Sequence, residues 1–382
     1  MSYRHVEVES LQASKREGEA CGDSAWVRRS VYHTTFVLAD GIGSGIKAHI
    51  ASQMSAARLG GLLKGGASPR DAFTRVAATM SGWRDHSLPF AAFLVGRILN
   101  NGMCSVLAYE MPPPLLINSR GARVLDGKPL VVPAGLAAEY QCRVLPSEGL
   151  LAVSDGIVQA GMGGASSQGW TSEALEAFLN QWSRLGQPFH ALARDVMREA
   201  AELDGPLPGD DKTVLLAHTR QGSEVRVLTG PPLDRAQDAA VARAFLDEDA
   251  VKVLCGATTA DIVSREAGLP LEMEGDVSDY STPPRCFMRQ VDLVTEGAVT
   301  LTQAYNLLDQ GLSSAGDRSA ASELAGLLAG ADCVRFTVGR AINPAHRDLG
   351  FLKQGILARS TVVPLMAAAL EGMGKLVTVE WV

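Results

Sequence analysis

The sequence predicts an α+β protein, with a layered domain built on antiparallel sheet followed by a smaller open α/β domain. Three observations carry that expectation. In the first part of the chain, apolar segments of strand length follow one another, and Asn100-Asn101-Gly102 stands between two of them as a hairpin signal. Helical periodicity fills the stretches after Gly45 and over about 172–203. Beyond Pro232 the pattern changes to single apolar strands, each followed by a glycine-containing turn and a helix, as in open α/β units with some parallel pairing.

Taken in order, strands are expected at 34–39, 91–99, 103–111, 114–118, 149–154 and 213–217. After Gly45, Ile46, Ile50, Met54 and Ala57 recur at three- and four-residue steps, and core packing is the default reading of that apolar stripe. The segment Arg220–Pro232 (RQGSEVRVLTGPP) combines turn residues, a charge shift and a proline pair, which marks a boundary between domains at 1–221 and 233–382. In the second domain VKVLC, DLVTEG, CVRFTVG and LVTVEWV read as strands, with helices after the first two, near 319–329 and near 360–373.

Composition narrows the function. The chain has 382 residues, enough for two domains with their own cores, and is 46% hydrophobic and 20% charged, which excludes a disordered chain. A net charge of -7 without any basic block argues against nucleic acid. The N-terminal sequence has no apolar run of leader type and no segment is long enough for a membrane helix, so the expected location is cytoplasmic, away from membranes. Six scattered cysteines without a CxxC pair point to reduced thiols rather than zinc or disulfides, and seven histidines form no HExxH pair. A metal, if bound, is held by carboxylates.

Four short motifs place an aspartate at a strand end or beside glycine: Cys21-Gly22-Asp23-Ser24, Ala39-Asp40-Gly41-Ile42-Gly43-Ser44-Gly45, Ser154-Asp155-Gly156 and Gly209-Asp210-Asp211-Lys212-Thr213. Each alone is a common turn or cap. Together, carboxylates and a backbone carbonyl suit hard divalent ions such as Mg²⁺ or Mn²⁺. Gly41 leaves room for a sharp turn that brings its carbonyl to the same ion as Asp40. Uncompensated, the four aspartates would repel one another in a shared pocket.

The order of these motifs, with the proline-rich Met111-Pro112-Pro113-Pro114 segment, resembles the metal-dependent protein phosphatases of the PP2C type, in their bacterial SpoIIE-like branch, over about residues 14–218. That resemblance implies a PP2C-like α-β-β-α sandwich and a serine/threonine phosphatase using two Mn²⁺ or Mg²⁺ ions to activate a water. It implies catalytic roles for Asp40, Asp155 and Asp210. Asp40 would bridge the ions, with Asp155 and Asp210 on one and Asp23 with the Gly41 carbonyl on the other. Its implied partner is a phosphoprotein, for example an anti-anti-sigma-type signalling protein. Two departures stand out. Ile42 occupies the place of a histidine that serves as general acid in many eukaryotic members, and no phosphate-binding arginine matches, leaving Lys15 and Arg16 upstream of Asp23 as candidates. A binding module of little or no activity is the competing reading.

In the second domain, Thr258 and Thr259 open a helix after a strand, and Arg340 follows another strand. This places hydroxyls and a cation where backbone N–H groups receive anions. They define a candidate site for a small anionic ligand, with capping by threonine as the plainer explanation. The domain is expected to regulate the phosphatase as a ligand sensor, or to pack against it or a second copy in a homodimer.

Overall fold

The structure, a computed structural model, describes residues 3–16, 18–85, 90–132, 135–164, 166–206, 209–247, 249–273, 286–311, 319–341 and 355–382. The chain divides into two compact units, Arg4–Arg220 and a second containing Gln221–Val382.

The first unit runs β1 (Arg4–Ala13), β2 (Asp23–Arg29), β3 (His33–Gly41), α1 (Ile46–Lys64), α2 (Pro69–Asp85), β4 (Ala91–Leu99), β5 (Met103–Tyr109), β6 (Leu115–Asn118), β7 (Gly121–Val124), β8 (Lys128–Pro129), β9 (Ala137–Arg143), β10 (Gly149–Val153), α3 (Asp155–Val158), α4 (Ser172–Arg184), α5 (Phe189–Asp204) and β11 (Lys212–Gln221). One sheet has the order β2-β3-β4-β5-β9-β8 and the other β1-β11-β10-β6-β7. Alternation along each strand sends one set of side chains between the sheets, among them Phe36, Leu38, Leu94, Val106, Leu150 and Leu215. The other set meets helices: Val37, Phe93 and Val95 pack with Leu59 and Phe73 of α1 and α2, while Leu151, Val153 and Leu216 pack with Leu175, Leu179 and Val196 of α4 and α5. Four layers result, in the order helix, sheet, sheet, helix. This is the predicted α-β-β-α sandwich.

The α1 stripe is a correction. Ile46, Ile50 and Met54 are 74%, 47% and 51% exposed, and Ala57 is exposed as well. The buried face is Ala48, Ala51, Ser52, Ser55, Ala56 and Leu59. Small residues let the helix lie close on β3, and a Ser24–Ser52 hydroxyl contact of 2.7 Å locks that approach.

The second unit runs β12 (Glu224–Thr229), α6 (Asp238–Leu246), β13 (Val251–Cys255), α7 (Ala257–Ala267), β14 (Leu271–Met273), β15 (Cys286–Met288), β16 (Leu293–Thr295), α8 (Ala298–Asp309), α9 (Ala320–Gly330), β17 (Cys333–Val338), α10 (Arg359–Gly372) and β18 (Leu376–Trp381). Strands β16-β13-β12-β17-β18 are parallel in that spatial order, and β15 and β14 add an antiparallel edge beyond β16. Helices α6 and α7 cover one face, around Leu228, Leu254 and Val294. Helices α8, α9 and α10 cover the other, around Val227, Val253 and Phe336. Strand order therefore reverses between β12 and β17, the switch point of a doubly wound sheet. Part of the stretch read as a linker is β12, the strand at the centre of this sheet, so the unit begins before residue 233. Flanking turn residues had masked a run in which Val225, Val227 and Leu228 are buried.

Candidate active site

Pairing of β2 with β3 sets Asp23 directly across from Asp40. Both are buried, at 2% and 8% exposure. Asp155 begins α3 where β10 ends, and Asp210 precedes β11, the antiparallel neighbour of β10. The Ser154 and Thr213 backbones bond at 3.0 Å, and Ser154 Oγ accepts from the Thr213 amide at 2.8 Å, so the two loops are fixed together. Strand ends from both sheets thus bring four aspartates near enough to act on one another in series, Asp23 on Asp40, Asp40 on Asp155, and Asp155 on Asp210.

Electrostatics make this a costly arrangement without counter-charge. Burial, then repulsion from Asp23 and Asp155, pushes the Asp40 carboxyl up to about 10. Burial raises Asp23 to about 6 and also raises Asp155. Both Asp23 oxygens are buried without a hydrogen-bonded donor, as is Asp211 Oδ2. Carboxylate oxygens deprived of donors fit a divalent cation. As the side chains lie, they form a chain of pairs, and among the described residues no three Asp, Glu, His or Cys side chains make a closed metal cage. A backbone carbonyl and water would therefore have to complete the coordination.

Gly41 ends β3 rather than making the sharp turn expected of it, and it is glycine for another reason. A Cβ there would overlap the Ala48 carbonyl at the start of α1. The neighbouring groups sharpen the site. Gln159 Nε2 donates to Asp155 Oδ2 at 3.0 Å. Lys212, 8% exposed, pairs with Asp204 and lies 3.4 Å from the Asp210 carbonyl. His49 Nδ1 lies 2.8 Å from the Cys21 carbonyl, tying α1 to the entry of β2. Sequence reasoning missed these three, although Lys212 lies in a motif it singled out. Asp211 Oδ1 accepts from the Lys15 amide at 2.8 Å.

The description of the SpoIIE family, Stage II sporulation protein E, matches residues 31–220. This segment is thus similar to the SpoIIE family, and its fold is that of PP2C phosphatase domains. Among solved structures, the PP2C phosphatase domain with a fragment of the regulatory domain of SpoIIE from Bacillus subtilis is 16% identical, with a TM-score of 0.50. That alignment covers 58% of this chain and 66% of the other, slightly under two thirds of its length. The RsbU and RsbW domains of a Mycobacterium tuberculosis protein are 18% identical over 64% of this chain and 68% of theirs, with a TM-score of 0.48. RsbX in complex with magnesium is 15% identical over 56% of this chain and 96% of its own, with a TM-score of 0.41. A comparison with curated proteins returns no match.

The family match starts beyond Asp23, so in the SpoIIE-like domain this residue is tied to the others by strand pairing. Of the two basic candidates, Lys15 Nζ lies 3.5 Å from Asp210 Oδ1. Arg16 is instead largely exposed and faces Glu19 at 3.4 Å. In the second unit, Thr259 Oγ1 accepts from the Gly230 amide at 2.8 Å, whereas Thr258 and Arg340 are exposed. Residues 342–344, which continue the Arg340 segment, lie outside the described residues. No helix among the described residues is long and apolar enough to cross a membrane.

Proposed function

We propose that the SpoIIE-like domain is a Mn²⁺- or Mg²⁺-dependent phosphatase that hydrolyses phosphoserine or phosphothreonine on a signalling protein in the bacterial cytoplasm. The observation that carries this reading is the buried aspartate series with both Asp23 oxygens lacking donors. Asp23, Asp40, the Gly41 carbonyl, Asp155 and Asp210 would hold two ions. When bound, the ions supply charge neutralisation and an acidified water for in-line attack on phosphorus.

The chain's own groups set up the rest. Gln159 fixes the rotamer of Asp155, and the Lys212–Asp204 pair steadies the loop that carries Asp210. Lys15, with about a third of its side chain exposed, puts a cation at the rim beside Asp210, where it attracts a phosphate dianion. Ile42, 54% exposed next to Gly41, donates no proton. An alkyl phosphate, whose leaving oxygen needs a proton, is therefore expected to react more slowly than an aryl phosphate.

Hydrolysis of a phosphoserine peptide and of an aryl phosphate, with Mn²⁺, Mg²⁺ or EDTA, tests the reading. Activity should require an ion, favour the aryl ester and fall at least about a hundredfold in Asp155→Asn. Absence of hydrolysis with either ion overturns it.

A further inference from the structure

Arg359 is the first residue of α10, and nothing in the sequence drew attention to it. Its guanidinium is half-buried, and its hydrogen bond is from Nη2 to the Ala341 carbonyl at 3.0 Å. Among the described residues it has no carboxylate partner, and burial alone lowers its pKa. A cation at a helix N-terminus also faces the positive end of the helix dipole. Helix α10 offers nothing to offset that, having no side-chain cap and no acidic residue in its first turn. A half-buried arginine with unused donors in this position calls for an anion.

Its surroundings agree. The guanidinium fills the space beside Gly230, where a Cβ would overlap Nη1, and Gly230 has a φ of 83° that favours glycine. Gly230 follows β12, and Arg359 reaches it from the face that α8, α9 and α10 cover. Thr229 lies on that face too, since Val225 and Val227 at the preceding alternate positions pack there. It is 0% exposed, and its Oγ1 has no hydrogen-bond partner. The N-terminal parts of α8 and α10 lie near one another, since the amide of Leu357, two residues before α10, donates to Thr302 Oγ1 of α8 at 3.1 Å. Helix α8 likewise has no side-chain cap and no acid in its first turn, and Thr300 within that turn is 1% exposed with an unpartnered Oγ1. All of this lies at the C-terminal ends of parallel strands, beside the point where strand order reverses, the region in which doubly wound sheets bind ligands.

We infer that this edge of the second sheet binds the phosphate group of a small phosphorylated molecule. Arg359 is its charge partner, the first turns of α8 and α10 supply backbone N–H donors, and Thr229 supplies a hydroxyl. The assignment differs from Thr258, Thr259 and Arg340, the residues that sequence alone suggested, because Thr259 is already bonded to Gly230 and the other two are exposed. It is independent of the phosphatase reading, since neither requires the other.

Calorimetric titration of the full chain in EDTA with inorganic phosphate, with adenosine monophosphate and with acetate tests the inference. At least one phosphate-bearing probe should bind while acetate does not. Arg359→Gln should weaken that binding about tenfold or more, and Arg340→Gln should leave it within twofold. A second readout uses the wild-type chain, so that a folding defect of the variant cannot decide the matter. Phenylglyoxal modification of Arg359, followed by peptide mass spectrometry, should slow when the bound probe is at saturation. The inference is overturned if neither phosphate probe binds, if acetate binds as well as they do, if Arg359→Gln retains wild-type affinity in a folded protein, or if the probe leaves Arg359 equally reactive.

Discussion

In the first domain, antiparallel sheets gather four aspartates at their strand ends, and in the second, parallel strands leave an arginine at their C-terminal edge with no acid beside it among the described residues. The two sites carry opposite unsatisfied charge and differ in how the chain builds them. Aspartates at the ends of neighbouring antiparallel strands meet because pairing register forces them together, as with Asp23 and Asp40. Arg359 meets Gly230 only because a helix on one face of a doubly wound sheet begins at the point where strand order reverses. One site is therefore written in short Asp-Gly motifs, and the other is assembled from residues far apart in sequence.

The largest expected effect comes from removing the repulsive centre of the first site. On the proposed reading, Asp40→Asn should lower phosphatase activity by about a thousandfold or more, since the ion Asp40 would help hold is expected to contribute several kcal/mol. In EDTA the same variant should melt no lower than wild type, and higher if repulsion dominates, because a buried carboxylate flanked by two others is exchanged for a neutral amide. Parallel loss of activity and of metal-free stability would break the contrast between the two sites.

Next are the cores. Phe93→Ala and Phe336→Ala each remove a ring buried at 0% or 1% exposure, at a cost of about 3–5 kcal/mol to the domain concerned. Differential scanning calorimetry should show Phe93→Ala lowering one transition and Phe336→Ala another. A common shift in both variants would mean that the units do not unfold separately.

A smaller effect tests the misread stripe. The double variant Ile46→Ser, Ile50→Ser should change stability by no more than about 0.5 kcal/mol per site, since both side chains are exposed, and chemical denaturation would reveal a larger loss. The sandwich itself was legible because its strands are continuous apolar runs and Asn100-Asn101-Gly102 joins two of them. Periodicity in α1 gave the right element and the wrong face. Ile46, Ile50 and Met54 outweigh the alanines and serines that make the contact, and residue size says nothing about how closely a helix must approach a sheet. Strand β1 carries a readable alternation, Val6 and Val8 between Glu7 and Glu9, that a search centred on apolar runs passed over. Four aspartates were legible because each sits at a turn beside glycine. Lys212, Gln159 and Arg359 were not, since burial and pairing define them and sequence spacing does not.

The smallest effect is on pH dependence. His218 on β11 stacks on Phe189 at 5.2 Å between ring centroids, and burial lowers its pKa. A lowered folded-state pKa means that its contribution to stability is present above the unfolded value of about 6.5 and is lost as pH falls through the folded one. Between pH 7 and pH 5 the melting temperature of the first domain should therefore change less favourably in wild type than in His218→Gln, whatever the buried aspartates add to both. Equal slopes would show that His218 contributes nothing.

The most direct measurement is calorimetric titration of Mn²⁺ into the full chain after removal of metal with EDTA. The aspartate series predicts saturable binding that is lost or at least tenfold weaker in Asp40→Asn and in Asp23→Asn, with the Arg359→Gln variant binding as wild type does. Failure of the wild-type chain to bind Mn²⁺, or undiminished binding in both aspartate variants, would contradict the assignment of this cluster as a metal centre.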